Sequence, residues 1–259
     1  MTLFRQFFSA HRKGLLIWMA AGALLAISGT RSAPTFIEGN SMSALPPALL
    51  ALFGDLSGLS PVDMYITILM GKGTPLIPTM YAVILALSVV TREVDRRTVE
   101  FLLSLPVQRT QVLLARLAVL TVNVTAVTAT IWAVIRFDLA GLGFQGSWDH
   151  MLLLFINLWL LAMALGTVTL AASMWIDDYS VGVKLFLGIV ALGFLVEYVL
   201  RGAMVSRAVR AFSPFSYVDL GGVMRHGSIP TADAIVLIAA IAAGVAVSFW
   251  AFGRKQFSA

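Results

Sequence analysis

The chain has 259 residues, of which 59% are hydrophobic and only 12% are charged, and its mean hydropathy is +0.90. Soluble proteins average about 25% charged residues, so this composition predicts an integral membrane protein with little room for a soluble catalytic domain. The net charge of +5 is typical of basic cytoplasmic loops rather than of nucleic-acid binding, and the absence of cysteine excludes disulfides, thiolate catalysis and Cys-ligated metals.

Residues 1–13 are predicted to form an amphipathic helix that lies in the membrane interface. Four apolar residues share one helical face: Leu3, Phe4, Phe7 and Phe8. Basic residues precede an apolar run, as in a signal peptide, but no convincing cleavage site follows. Residues 14–29 are therefore interpreted as an uncleaved first span. The alternative is that residues 1–13 simply extend this span.

Six apolar segments are predicted to cross a bilayer core about 30 Å thick: residues 14–29, 75–90, 112–135, 151–176, 181–200 and 233–252. The first two are short and are expected to recruit flanking residues. The loop of residues 30–74 is rich in proline, with a short helical or re-entrant piece predicted at 65–70. The extracellular loop of residues 201–232 is predicted to hold short helices, because Ser213-Pro214-Phe215 and Gly221-Gly222 are turn signals.

Six spans place both termini on one side of the membrane, and the distribution of Lys and Arg selects that side. The side of the termini collects 11 of these residues, and the other side collects seven over much longer loops. Both termini are therefore predicted to be cytoplasmic, and we expect a prokaryotic cytoplasmic membrane. The basic residues Arg201, Arg207 and Arg210 oppose this assignment.

A dense cluster of charge at residues 92–105 separates the second and third apolar segments, and it predicts a surface helix. Its apolar residues fall near one stripe, whereas Glu93, Asp95, Arg96, Arg97 and Glu100 project elsewhere. Pro106 ends this helix and can begin the next one. The i,i+4 pairs Glu93–Arg97 and Arg96–Glu100 also explain the charges as an ordinary solvated surface.

The charged segment contains an ordered series of residues that continues into the third span. Glu93 is followed by Thr98-Val-Glu-Phe-Leu-Leu-Ser-Leu-Pro106 and then by Arg109 and Arg116. This order resembles that of type-2 ATP-binding-cassette permeases. The N-terminal amphipathic helix, the six spans and the Ser-Pro-Phe element at Ser213 extend the resemblance over the chain.

The resemblance implies one all-α permease domain over residues 1–259 that pairs with a second copy or a paralogue. It also implies a separate cytoplasmic ATPase subunit, which binds ATP and Mg²⁺ and contacts a coupling helix at residues 92–105. The coupling residues would be Glu93, Arg96, Arg97, Glu100 and Arg109. No cofactor is expected on this chain, since Gly71-Lys72 lacks the surrounding pattern of a phosphate-binding loop.

Polar residues inside the predicted spans are further candidates for function. Glu197 lies near the outer end of the fifth span, where a charge is functional by default, and Arg201 is placed to pair with it at i,i+4. Asn123 and Asn157 would bond across helices or contact cargo. Asp177-Asp178 is interpreted as a helix cap. Small residues predict close helix contacts, within one subunit or between two: Ala162, Gly166 and Gly244.

The sequence is compatible with two functions. The first is an exporter permease driven by a separate ATPase, with a hydrophobic or amphiphilic cargo because its spans are nearly all apolar. The second is an ion-coupled secondary carrier, for which Glu197 would be the protonated group, or a membrane scaffold without nucleotide coupling. The three histidines lack metal-ligand spacing, so no metal is expected.

Overall fold

The computed structural model describes residues 2–39, 53, 56–71, 73–95, 109–176, 178–202 and 210–254. Within these residues the chain is helical, and six segments are long and apolar enough to cross a membrane. Helices satisfy their backbone hydrogen bonds internally, which a spanning segment in lipid requires. The predicted all-α polytopic membrane fold is confirmed.

The described helices follow the predicted order of spans. They are α1 (Thr2–Thr30), α2 (Ala33–Ile37), α3 (Pro61–Gly71), α4 (Leu76–Asp95), α5 (Arg109–Gly141), α6 (Trp148–Ala172), α7 (Tyr179–Gly202), α8 (Leu220–His226) and α9 (Thr231–Arg254), with 3₁₀ turns at Ser173–Trp175 and Pro214–Tyr217. The predicted loop at 201–232 does contain short helical pieces, although α7 and α9 extend into it at both ends.

The first span differs from the sequence-based expectation. α1 is a single helix of 29 residues, so no boundary separates residues 1–13 from the first span. A helix of this length measures about 43 Å and exceeds the bilayer core. Phe7 is only 5% exposed, and Phe4 and Phe8 also pack on the core. This apolar face therefore packs on other helices, and residues 2–13 are continuous with the helix of the first span.

The piece predicted at residues 65–70 is helix α3. Its N-terminus is capped by Ser60, whose hydroxyl accepts from the Asp63 amide at 3.1 Å and donates to the Asp63 carboxylate at 2.8 Å. α3 packs against α2 and α8 and, with most of α4, makes up the second candidate span, Pro61–Ser88. This addition explains why residues 75–90 alone looked short.

The predicted coupling helix is only partly described. α4 continues to Asp95, so residues 92–95 belong to the helix of the second span rather than to a separate one. Arg96, Arg97 and Glu100, with the remainder of residues 96–105, lie outside the described residues. The spacing of charges did not reveal that residues 92–95 continue α4, because the sequence has the same helical periodicity before and after residue 92.

Helix packing produces two distinct ends of the bundle. α1 packs along α5, α6 packs against α4 and α9, and α4 also contacts α7. A Cβ atom on Gly244 of α9 would lie 2.7 Å from the Thr167 carbonyl carbon of α6, so this close contact is within one chain. We call the end that carries both termini the base, and the opposite end, which carries α3 and α8, the distal end.

Candidate functional site

The charged cluster at the distal end contains Glu197, Arg201 and Arg210. Glu197 is 5% exposed. Its Oε1 atom accepts from Arg201 Nε at 3.1 Å, from Arg201 Nη2 at 2.9 Å and from Arg210 Nη1 at 2.6 Å. A buried carboxylate between two guanidinium groups is stable because each charge has a partner. The cluster carries one net positive charge.

The chain segment after α7 folds back over the end of this helix. Ser213 Oγ donates to the Gly193 carbonyl at 2.9 Å, and the Phe215 ring meets the Phe194 ring edge-on at 5.4 Å. Arg201 also reaches the Val218 carbonyl at 3.4 Å. A cavity of about 40 Å³ lies beside the cluster, between α7 and this segment. The distal end of α7 is therefore covered by residues 210–218.

The two asparagines predicted inside the spans are both buried and hydrogen-bonded to protein groups. Asn123 of α5 accepts from the Tyr81 hydroxyl of α4 at 2.8 Å and donates to the Val119 carbonyl. Asn157 of α6 donates to the Tyr217 carbonyl at 3.3 Å. Asn123 thus joins two spans, whereas Asn157 holds the segment that covers the distal end.

At the base, five side chains connect four spans. We call them the base clamp: Phe7 and His11 of α1, Ser88 of α4, Arg116 of α5 and Phe252 of α9. Arg116 is 3% exposed, and its Cζ atom lies 5.6 Å from the Phe7 ring centroid and 5.5 Å from that of Phe252. His11 Nε2 lies 3.0 Å from Ser88 Oγ. These helices meet where the predicted coupling segment joins the bundle.

Of the predicted coupling residues, Glu93 lies in α4 and Arg109 begins α5, but their side chains are not described. The three others, Arg96, Arg97 and Glu100, fall outside the described residues, as does Asp177. Asp178 is described, and its Oδ1 accepts from the Val181 amide at 3.0 Å. It caps the N-terminus of α7, in agreement with the sequence-based interpretation.

An apolar groove opens between α5 and α6 on the side of the bundle. Its volume is about 390 Å³, and Ala129, Leu152, Phe155 and Ile156 are among its lining residues. The indole of Trp159 donates to Thr125 Oγ1 at 2.9 Å within it. The size is in the range of small-molecule pockets, about 300–1,000 Å³. In the described part of the chain, His, Asp and Glu form no group of three or more that could hold a metal ion.

Sequence reasoning missed three residues that organise this structure. Arg210 was considered only as a charge that opposed the topology, and Arg116 only as part of a motif. Asp63 was overlooked altogether, although Ser60-Pro61-Val62-Asp63 is a capping-box pattern with proline at the first helical position. That pattern would have located the start of α3.

A comparison with protein families supplies an independent result. The family model described as ABC-2 family transporter protein matches residues 67–257. The matched region includes the charged segment between α4 and α5 and every span from α4 onward. No curated protein matches the chain.

Proposed function

Since the chain belongs to the ABC-2 family of transporter proteins, we propose that it forms the pathway of an exporter driven by a separate ATPase subunit. Family membership makes it a membrane permease component of an ABC transporter, and a transport subunit rather than an enzyme. The direction of transport, the driving subunit and the cargo are the parts that we propose.

The observation that carries the proposal is the position of the charged segment. α4 ends at Asp95 and α5 begins at Arg109, and the base clamp lies close to both points in the chain. The residues that resemble the coupling helix therefore connect two spans at the end that carries both termini. A cytoplasmic ATPase bound there would act on both spans at once. ATP and Mg²⁺ would bind to that subunit.

A second copy or a paralogue is the other proposed partner, and the surface of α7 supports it. Six of its exposed residues follow the 4-3-4-3-4 spacing of a coiled-coil seam: Val181, Leu185, Gly188, Leu192, Leu195 and Val199. Seams of this spacing pack against a like helix, and the glycine allows a close approach. The pathway would then form between two chains.

The proposed cargo is hydrophobic or amphiphilic, such as a drug, a lipid or a modified peptide. Support comes from the described spans, whose outward faces are apolar, and from the apolar groove between α5 and α6. The buried polar groups Asn123 and Glu197 are already bonded to protein partners. A hydrated ion would find few free polar groups among these residues.

The competing function is an ion-coupled carrier with Glu197 as the protonated group. The two arginines around Glu197 favour a structural ion pair instead. Transport of the cargo into vesicles would favour the carrier if it did not depend on ATP and stopped when an uncoupler collapsed the proton gradient.

Charge reversal at Glu100 tests the coupling proposal. We expect Glu100→Lys to reduce the copurifying ATPase, or the ATPase rate that the permease stimulates, by at least about tenfold, or about 1.4 kcal/mol. The reason is that a reversed charge opposes its partner across a complementary interface. The measurement is affinity purification from membranes, with mass spectrometry to identify the ATPase and a hydrolysis assay on the complex.

Asp149→Lys is the matched control, because Asp149 is an exposed acidic residue at the distal end and should leave the ATPase bound. Equal recovery of the ATPase and equal stimulated hydrolysis in both variants would show that Glu100 has no role in coupling. Absence of any copurifying ATPase from the unmodified chain would contradict the proposed function itself.

Cysteine labelling tests the proposed orientation in this naturally cysteine-free chain. Cysteines at Ser104 and Ser258 should resist an impermeant thiol reagent added outside intact cells, whereas one at Ser57, which is exposed near α3, should react. The membrane blocks the reagent from cytoplasmic positions, and all three should react after permeabilisation. External labelling at Ser104 would contradict the proposed orientation, and with it the proposal that the coupling helix is cytoplasmic.

A further inference from the structure

We propose that Arg116 is a positioning residue that transmits movement of the coupling segment to α1 and α9. The proposal rests on the proposed function, since it assumes that an ATPase moves this segment. It assigns to the N-terminal half of α1 a role inside the coupling path rather than only that of a membrane anchor.

The geometry around Arg116 is specific for a cationic side chain. Arg116 is 97% buried, and a buried charge loses its hydration, which is costly without compensation. Phe7 and Phe252 contribute to this compensation from two helices, with ring centroids at 5.6 and 5.5 Å from Cζ, within the range of cation–π attraction. A neutral side chain of the same length would fill the space but lose this attraction to both helices.

The position of Arg116 in the first turns of α5 would make it move together with the coupling segment. It lies seven residues after Arg109, the first residue of α5, and therefore on the same helical face, about two turns away. Helix α5 begins directly after the segment that resembles the coupling helix. A displacement of that segment would move the first turns of α5 as a rigid rod, and Arg116 would carry Phe7 and Phe252 with them.

A second link connects the other side of the coupling segment to the same part of α1. Ser88 of α4 is buried and lies 3.0 Å from His11 Nε2, while His11 Nδ1 lies 2.9 Å from the Phe7 carbonyl. The spans before and after the coupling segment are therefore both joined to residues 7–11 of α1. These contacts make α1 the element on which both movements converge.

The experiment uses a fluorescent reporter on α1. A single cysteine replaces Ser9, which is exposed between Phe7 and His11, and carries an environment-sensitive fluorophore. The permease with its copurified ATPase is placed in lipid nanodiscs, and the emission is compared before and after trapping with ATP and vanadate. Trapped nucleotide and bound ATPase are measured in the same samples.

We expect Arg116→Met to reduce the nucleotide-dependent change in emission by at least about fivefold, the lower end of typical coupling between sites. ATPase binding and nucleotide trapping should stay at the unmodified level. Arg116→Lys, which keeps a cation, should retain most of the change. Should Arg116→Met fail to accumulate, Phe252→Leu removes one of the two rings and should reduce the change in the same direction.

Arg136→Met is the matched control, because Arg136 lies at the distal end of the same helix and stacks on Trp148 at 3.9 Å. It should leave the change intact. An unaltered change in Arg116→Met, or an equal loss in Arg136→Met, would overturn the role of Arg116. A bound ATPase with no change in the unmodified chain would overturn it too, whereas failure to recover an ATPase would overturn this inference together with the proposed function.

Discussion

Replacement of Glu197 by glutamine should lower the free energy of unfolding by about 3–5 kcal/mol, the usual cost of removing one member of a buried ion pair. Glu197 Oε1 lies 2.6 Å from Arg210 Nη1 and 2.9 Å from Arg201 Nη2. Glutamine preserves the shape of the side chain but removes the anion that the Arg201 and Arg210 guanidinium groups share, so that it no longer offsets their mutual repulsion. Both arginines are themselves mostly buried, so water screens this repulsion poorly.

Unfolding in mixed micelles with increasing SDS measures this effect, with helix loss followed by circular dichroism. Glu38→Gln is the control, because Glu38 is exposed and its loss should change stability by less than about 0.5 kcal/mol. The double variant Glu197→Gln/Arg201→Met removes one excess cation and should be more stable than Glu197→Gln alone. Equal stability of the Glu197→Gln and Glu38→Gln variants would show that the cluster does not hold the distal end together.

The stabilisation at the two ends of the bundle differs in kind. At the distal end, carboxylates and directional hydrogen bonds fix the covering segment in one arrangement. At the base, Arg116 packs on two aromatic faces, and a contact of this kind tolerates sliding better than a bidentate ion pair does. These two contacts of Arg116 are less directional than the ion pairs of Glu197 at the distal end.

The fold could be predicted from sequence because hydropathy and length determine spanning helices almost alone. Residues 181–200 and 233–252 were predicted within three residues of α7 and α9 at each end. Boundaries failed where helices continued without a break. Residues 2–30 contain no proline, so the amphipathic character of the first turns did not mark a separate helix, and Phe7 turned out to pack on Arg116.

The distal cluster was only half predictable for a related reason. Arg201 follows Glu197 by one helical turn, and local spacing reveals such pairs. Arg210 belongs to the segment that folds back, and its contact depends on the turn at Ser213 and the packing of Phe215 on Phe194. Contacts across a reversed chain carry no periodicity, so a single sequence does not show them.

Replacement of Asp63 should also lower the free energy of unfolding strongly, because this one buried carboxylate joins the starts of two helices. It is 6% exposed. Its oxygens accept from Ser60 Oγ at 2.8 Å, from the Ser147 amide at 2.7 Å and from Ser147 Oγ at 2.9 Å. Asp63 lies in the first turn of α3, where a negative charge also complements the helix dipole, and Ser147 is the N-cap of α6.

We expect Asp63→Ala to lower the free energy of unfolding by about 3 kcal/mol, the upper end for one hydrogen bond to a charged group, because the Ser147 amide loses its acceptor. Ser147→Ala removes only the hydroxyl bond and should cost about 1 kcal/mol. Asp149→Ala, an exposed acid in the first turn of α6, should cost less than about 1 kcal/mol, since only the dipole term is lost. SDS unfolding that ranked Asp149→Ala equal to Asp63→Ala would mean that the helix dipole, and not the link between α3 and α6, is what this carboxylate contributes.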